Sequence, residues 1–515
     1  MNLHSELHLH LLRPVFLYLR RSQSWQLPLP PGPKKRFLTG NLKDMPTSFE
    51  WETYYKWGKE HNSDIIHLDV VGTSVIVLNS LEAASALLDK RLSIYSSRAR
   101  LPVVRELMGW DFLVGFMPYG IPRAHRRLFQ QTLSARSSLR FRPQVLNAAR
   151  EFLRRFLDRP EDFMTHLRYM AARIIMSITY GIDTLPEGDP FVTAAEDALH
   201  TVAVAAIPGT FLVRTPAWFP GAGFQRKASE WKVLARRMVD MPYEAAIRLI
   251  TDDSYRPSFT SSNLGRIGPE QDVASQQRIV KNAAGTMYAG QCLQTVSVIA
   301  TFILGILFNL QAQRKGQAEI DSVFNQERLP TFGDENQCLM SRRSLKKCCD
   351  GSLPSVRSLG MRSYVSRRYL IAISHLLETD DVYRGYRLPA DSVVVPNTWY
   401  MECPDPFSFK PDRFMKDGRL HLTVEHPAIA AFGFGRRICP GRHLAYSSVW
   451  ITVASILAGF EITKAVDEDG MVIEPNDKVR PVLVCIPEAF KCSIKPRSKE
   501  TKLSSAVPKY SYWTR

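Results

Sequence analysis

Eleven residues near the carboxyl end constrain this chain more than any other stretch. Phe432-Gly433-Phe434-Gly435-Arg436-Arg437-Ile438-Cys439-Pro440-Gly441-Arg442 sets three glycines, three arginines and one cysteine just before an apolar run that reads as a helix from Gly441 to Leu457. Gly433, Gly435 and Gly441 permit tight turning and close approach to a flat ligand. Cys439 falls where helix N-terminal donors and neighbouring arginines are expected to lower a thiol pKa and hold a thiolate. A cysteine that serves as an axial ligand to a haem iron must do so as a thiolate. Arg437 offers a planar fork for a carboxylate. Taken alone, the cysteine also reads as an ordinary buried thiol in a basic loop.

Composition removes several other classes. With 515 residues, 45% of them hydrophobic, the chain can bury a large core. Its eight cysteines all lie in the second half and include no Cys-x-x-Cys pair. They read as reduced, cytosol-facing thiols rather than a disulfide framework or a zinc site. The formal charge is +17, from 67 Lys+Arg against 50 Asp+Glu. That excess favours an anionic lipid surface or an acidic protein face. The basic residues are dispersed, so no nucleic-acid partner is expected. Gly-Lys-Ser/Thr and His-Glu-x-x-His are absent, and Gly433-x-Gly435 lacks the third glycine of a dinucleotide fingerprint.

Periodicity predicts a mainly helical body with small sheets. Asp64 to Asn79 reads as a hairpin turning at Gly72-Thr73-Ser74, followed by a helix capped at Asn79 or Ser80 and running through Leu88. Leu139 to Leu157 and Phe163 to Tyr180 carry helical spacing, and Pro208, Pro216 and Pro220 interrupt the pattern beyond Tyr180. Ala283 to Leu310 is apolar but holds Tyr288, Gln291, Gln294 and Thr295, which favours a buried core helix over a membrane span. Tyr383 to Pro396 reads as short strands. At the amino end, Leu7 to Leu19 is interrupted by His8, His10, Arg13 and Pro14 and is too short to span a bilayer. Arg20, Arg21, Lys34, Lys35 and Arg36 come after it, as suits a cytosolic flank. Leu29 to Pro33 forms a stiff, proline-rich spacer.

The loop matches Phe-x-x-Gly-x-Arg-x-Cys-x-Gly at every fixed position, and through it the chain resembles the cytochrome P450 family, in particular its fungal microsomal branch with O-methylsterigmatocystin oxidoreductase-like enzymes. Gly40-Asn41, His125-Arg126-Arg127-Leu128-Phe129, Asp380 to Tyr386 and Pro404-Asp405-Pro406-Phe407 support the likeness. It implies a triangular, mainly α prism with small β-sheets and haem b between two long core helices. It implies a membrane anchor at 1–28, degraded or misassigned, a hinge at 29–41, one catalytic domain at 42–498 and a tail at 499–515. The implied activity is monooxygenation of a lipophilic secondary metabolite, terpenoid or polyketide, at the cytosolic face of the endoplasmic reticulum membrane, with NADPH-cytochrome P450 reductase as electron donor. Cys439 then ligates iron and Arg437 and Arg126 hold propionates, while Phe432, Gly435 and Gly441 shape the haem loop. Gly290, Gln294 and Thr295 line the oxygen site. Arg436, Arg442 and His443 lie where the reductase docks, and Leu101 to Tyr119 with Val202 to Phe211 face the substrate.

Three departures from the family pattern stand out. Pro122 occupies the place of the tryptophan that precedes the propionate arginine, a position proline tolerates only at a helix start. Leu293 and Gln294 replace the acid and alcohol that organise water for proton delivery, leaving Thr295 one place along. The Glu-x-x-Arg helix is missing. Cys338 to Gly351 is cationic and cysteine-rich instead, yet read from the third base of permitted codons it yields Pro-Tyr-Val-Glu-Ala-Leu-Val-Lys-Glu-Val-Leu-Arg-Trp. The stretch 338–374 is therefore read as frameshifted or misspliced. A catalytically impaired relative, or a pseudogene product, is the alternative to a working enzyme.

Overall fold

The computed structural model describes residues 27–46, 48–205, 223–324, 328–335, 373–401, 415–416, 419–420, 428–476, 478–480 and 486–497. The anchor reading of 1–28 and the frameshift reading of 338–374 lie outside these ranges except for the last two residues of each. The tail, Pro208, Pro216, Pro220 and the 404–414 motif lie outside them too.

The body is mainly helical with small sheets. Helix α1 (Glu50–Glu60) precedes strands β1 (Ile65–Val70) and β2 (Thr73–Leu78). The turn between them is Val71-Gly72, not Gly72-Thr73-Ser74, and both residues have positive φ, at 52° and 80°. That is the geometry whose twist matches a two-residue hairpin, and Asp69 Oδ1 secures it by accepting from Gly72 N at 2.9 Å. Ser80 caps the next helix, its hydroxyl accepting from Ala83 N at 3.0 Å.

Helices α2 (Arg123–Leu133), α3 (Arg142–Asp158) and α4 (Phe163–Tyr180) come next. The start of α3 is later than Leu139, which lies in a short 3-10 turn; Pro143 sits in the first helical turn, where its missing N–H costs nothing. Helix α4 has the expected bounds because Gly181 closes it in the left-handed conformation at φ 72°. Helices α5 (Pro190–Ala205) and α6 (Gly223–Thr251) lead to α7 (Val273–Phe308), whose first ten residues are too polar to have joined the apolar run. Asp272 caps α7 through Ser275 N at 3.0 Å. By length and composition α7 could cross a membrane, yet its apolar window is mostly buried against α2, α4, α6 and α9 (Arg442–Gly459). Helix α8 (Leu310–Phe324) lies between α7 and the late strands.

Strands β3 (His375–Leu376) and β4 (Asp381–Tyr383) begin ahead of the expected segment Tyr383 to Pro396, and β5 (Tyr386–Leu388) and β6 (Val393–Pro396) lie within it. One four-stranded sheet has the order β1-β2-β6-β3, with β6 parallel to β2 and antiparallel to β3. Pro396 can end β6 because its partner supplies the ladder only that far. This sheet brings β3, remote in sequence, beside Ser97 and the loop after it, through Leu376 N to Ser97 O at 3.0 Å.

Candidate active site

The loop before α9 is held through its backbone N–H groups. Cys439 N donates to Phe432 O at 2.7 Å, Gly433 N to Ala430 O at 3.0 Å and Gly435 N to the Asp89 carboxylate at 2.6 Å. Phe432 is buried, its ring 5.1 Å from that of Tyr446. Gly433 and Gly435 have φ of 74° and 55°, as the expected tight turning requires. A side chain at 435 would place Cβ 2.4 Å from Leu88 O. Gly441 differs: its φ is −83°, and an added Cβ would meet only the Cys439 sulfur at 3.9 Å. Its contribution is its N–H, which together with that of Arg442 is directed at the Cys439 sulfur from the start of α9.

Cys439 is a free, half-buried thiol. Burial pushes its pKa up. The N–H groups of Gly441 and Arg442 and the charges of Arg442 and Arg126 act in the opposite direction and are outweighed. The expectation of a depressed thiol pKa is thereby corrected: desolvation of the thiolate is the larger effect. A cation bound at the sulfur would reverse that balance, because a coordinating thiol is deprotonated outright.

Cations converge on the same loop. Arg126, on the second turn of α2, donates to Ile438 O at 3.1 Å. Arg437 is buried and donates through Nε to Ser96 O at 2.7 Å and through Nη2 to Met117 O at 2.9 Å, which leaves Nη1 for a ligand. Two further groups escaped the sequence reading. Arg98 is buried against the carbonyls of Gly115 (3.1 Å), Ile373 (2.5 Å) and Ser374 (2.9 Å). His375 on β3 is buried, with Nδ1 2.7 Å from Tyr95 O. Burial depresses all four groups, with Arg437 brought down to about 10; neighbouring arginine charge lowers Arg98, His375 and Arg437 further, while Arg126 is lowered by Arg442 and raised by Cys439. No carboxylate lies in ion-pair range of Arg98, Arg126 or Arg437 among the described residues; the acid felt by Arg437 is exposed Glu378. A lone arginine between β2 and the haem-loop motif carried no signal in sequence, and His375 sits at the edge of a stretch that reads as disturbed.

Pro122 stands immediately before α2, with φ −78°, and its carbonyl accepts from Arg126 N at 2.8 Å. It satisfies the helix-start condition and leaves a cleft of about 370 Å³ lined by Tyr119, Pro122, Arg123, Arg126, Arg127 and Arg437, among others. Arg436 is exposed, hydrogen-bonded to Tyr119 and set over its ring.

On α7, Gly290 is half-buried, with open space where a Cβ would project. Gln294 is half-buried and Thr295 buried. The segment Leu101 to Tyr119 folds as short helical turns whose Val104, Met108, Trp110, Phe112 and Phe116 enter the core beside α6 and α7. Val202 and Ala205 are buried, and 206–211 lies outside the described residues.

This donor set fits haem. One soft sulfur sits at a helix start, and the three arginines Arg98, Arg126 and Arg437, without a neutralising acid, match a planar ligand that carries two carboxylates. Among the described residues no group of three or more His, Cys, Asp or Glu could hold a bare metal ion.

Comparison with known proteins is consistent with this chemistry. The family model for Cytochrome P450 matches residues 30–353 and 360–492, so its one break falls between 353 and 360. The chain is 42% identical to Cytochrome P450 monooxygenase 98 of Postia placenta, over 94% of this chain and 93% of that protein. It is 37% identical to Tryptamine 4-monooxygenase of Psilocybe cyanescens, over 92% and 94%. It is 33% identical to Cytochrome P450 monooxygenase ppsD of Aspergillus oryzae, over 92% and 90%.

Proposed function

Because the chain belongs to the cytochrome P450 family, we propose that it is a haem-thiolate monooxygenase that places one atom of O2 into a lipophilic secondary metabolite of terpenoid or polyketide type. The family makes it an oxidoreductase with a small-molecule substrate and a redox partner. NADPH-cytochrome P450 reductase fills the partner role in this reading, and the endoplasmic reticulum membrane is its location. Haem held by a thiolate supplies oxygen activation, the electron-rich sulfur favouring O–O cleavage.

The chain's own residues then have separable tasks. Cys439 holds the iron, with the first N–H groups of α9 limiting the charge on its sulfur. Arg126 and Arg437, joined by Arg98, hold the carboxylate edge. Phe432, Gly435 and Gly441 keep the loop close enough for the sulfur to reach. Gln294 and Thr295 on α7 hold water and pass protons, Gln294 as a hydrogen-bonding group that is not itself an acid, and Gly290 leaves room beside them. The apolar residues of 101–119 and 202–211 exclude water and receive the substrate. Arg436, Arg442 and His443 present positive charge to the acidic face of the reductase.

The observation that carries the reading is the half-buried Cys439 sulfur just before α9, on a loop flanked by Arg126 and Arg437, which have no acid of their own. The test is the reduced carbon-monoxide difference spectrum of the full chain beside Cys439→Ser. A red-shifted thiolate band in the first and none in the second is expected. No band in either would overturn the assignment. A second reading, a haem-binding relative impaired in turnover, is favoured by Leu293-Gln294 in place of the acid and alcohol. Product formation with reductase and O2 separates the two, with tryptamine and representative terpenoids and polyketides as trial substrates.

A further inference from the structure

One helical turn behind the haem loop is a residue too long. Ser85–Asp89 closes through Lys90 N to Ser85 O at 3.0 Å, five positions back rather than four. An extra residue in a turn rotates the side chains around it, and such bulges recur at functional sites. This one packs Leu87 and Leu88 into a small core that also takes Phe434 of the haem loop. It also sets Leu88 O against Gly435, where no side chain fits.

The bulge aims Asp89 at the loop, and its two carboxylate oxygens are used separately. Oδ1 accepts from Gly435 N at 2.6 Å, and Oδ2 accepts from Ser85 Oγ at 3.0 Å. The Ser85 hydroxyl thereby fixes the rotation of the carboxylate. Asp89 makes no ion pair among the described residues, although Lys90 and Arg91 follow it and Arg436 and Arg437 follow its partner. Arg91 is engaged by Asp381 at 2.7 Å instead. Among the described residues Asp89 is the one carboxylate hydrogen-bonded to the haem loop.

That bond controls more than Gly435. Gly435 N opens the short turn Gly435–Arg437. Behind it Arg437 N donates to Phe434 O at 3.0 Å, Ile438 N to Gly435 O at 3.2 Å and Cys439 N to Phe432 O at 2.7 Å. A shift at 435 is therefore passed to Arg437 and Cys439. The same segment also takes the Arg437 side chain, through Ser96 O at 2.7 Å. Residues 85–98 thus grip the loop twice, by backbone at Asp89 and by side chain at Ser96.

We propose that Asp89 is a positioning residue for the haem thiolate. Its acceptor oxygen holds the loop so that Cys439 and Arg437 serve one ligand, and its charge, lent to the loop through the Gly435 peptide, favours the oxidised iron. This rests on the haem-thiolate reading in the proposed function and adds the residue that supports the loop from behind.

The test compares the full chain with Asp89→Asn, Asp89→Ala and Ser85→Ala. Asparagine keeps an oxygen for Gly435 N and an amide for Ser85 Oγ but removes the charge. In hydrogen–deuterium exchange, peptides covering 432–441 are expected to exchange about tenfold faster or more in Asp89→Ala, about threefold faster in Ser85→Ala and within about twofold of the unaltered chain in Asp89→Asn. Exchange in α4 should not change. In the reduced carbon-monoxide spectrum, Asp89→Ala should pass from the thiolate band to the blue-shifted form about tenfold faster. Asp89→Asn should keep the original rate with a more positive midpoint potential, since an anion is withdrawn from the iron's surroundings. Unchanged loop exchange in Asp89→Ala, faster exchange spread evenly over the chain, or Asp89→Asn as fast as Asp89→Ala would each overturn the assignment. An unshifted potential in Asp89→Asn would overturn its electrostatic part. If Asp89→Ala does not fold, Ser85→Ala carries the exchange test. No thiolate band in the unaltered chain would overturn the haem reading, while the exchange comparison, which needs no haem, would still decide whether Asp89 holds the loop.

Discussion

Replacing each loop glycine by alanine tests how the haem loop is built. At Gly435 the left-handed φ of 55° costs a side chain about 1–2 kcal/mol. The added Cβ would also lie 2.4 Å from Leu88 O, a backbone atom that cannot swing aside. The loop must then retreat, and the bond from Gly435 N to the Asp89 carboxylate at 2.6 Å is lost, a charge-assisted bond worth about 1–3 kcal/mol. The sum is about 3 kcal/mol, on the order of a hundredfold fall in the population of the native loop. At Gly433 φ is 74° but the nearest atom is 3.8 Å from the Cβ, so only the conformational cost of about 1–2 kcal/mol applies. At Gly441 φ is ordinary, and the cost is under about 1 kcal/mol. Thermal unfolding and retained haem absorbance, measured on the three purified variants, should therefore rank Gly441→Ala, Gly433→Ala and Gly435→Ala from mildest to most severe. If Gly441→Ala proves as damaging as Gly435→Ala, the separation of strain at 435 from donor geometry at 441 is wrong.

Other expectations concern single groups. Arg98→Ala removes the donor shared by the carbonyls of Gly115, Ile373 and Ser374 and should cost about 1–3 kcal/mol of stability as well as haem affinity, read by urea unfolding and haem titration. His67 is buried beside Ser74 and its pKa is lowered to about 4, first by burial and then by Lys35. The unfolded histidine takes up a proton below pH ~6.5 while the folded one does not, so stability should be full above that pH and fall as pH drops toward 4, by up to about 3 kcal/mol. His67→Asn should flatten that slope in pH-dependent denaturation. Gln294→Glu returns an acid to α7 and should raise product formed per NADPH by about tenfold or more; an unchanged yield would remove Gln294 from the proton path.

Much of the framework was legible locally because local chemistry decides it. The helix Phe163–Tyr180 has its bounds written in sequence by apolar spacing and a closing glycine. The haem loop is legible because positive-φ glycines and a helix-start cysteine are local requirements. The hairpin was legible as a pair of strands but not in its turn, since nothing in the sequence marks Val71 as the residue that accepts strain. The start of α7 was missed because Val273 to Asn282 is polar; a cap at Asp272, not an apolar face, defines it.

The sequence by itself therefore determined the chemistry of one loop and the helical character of the body around it. Only the tertiary structure brought Arg98 and His375 to that loop. Parallel pairing of β6 with β2 places β3 beside the chain at Ser97, and no periodicity encodes a contact across so many residues. Only the tertiary structure decided the state of Cys439 as well. Helix donors and arginines close in sequence argue for a low pKa, but the solvent removed by packing is a property of the whole fold, and it outweighs them.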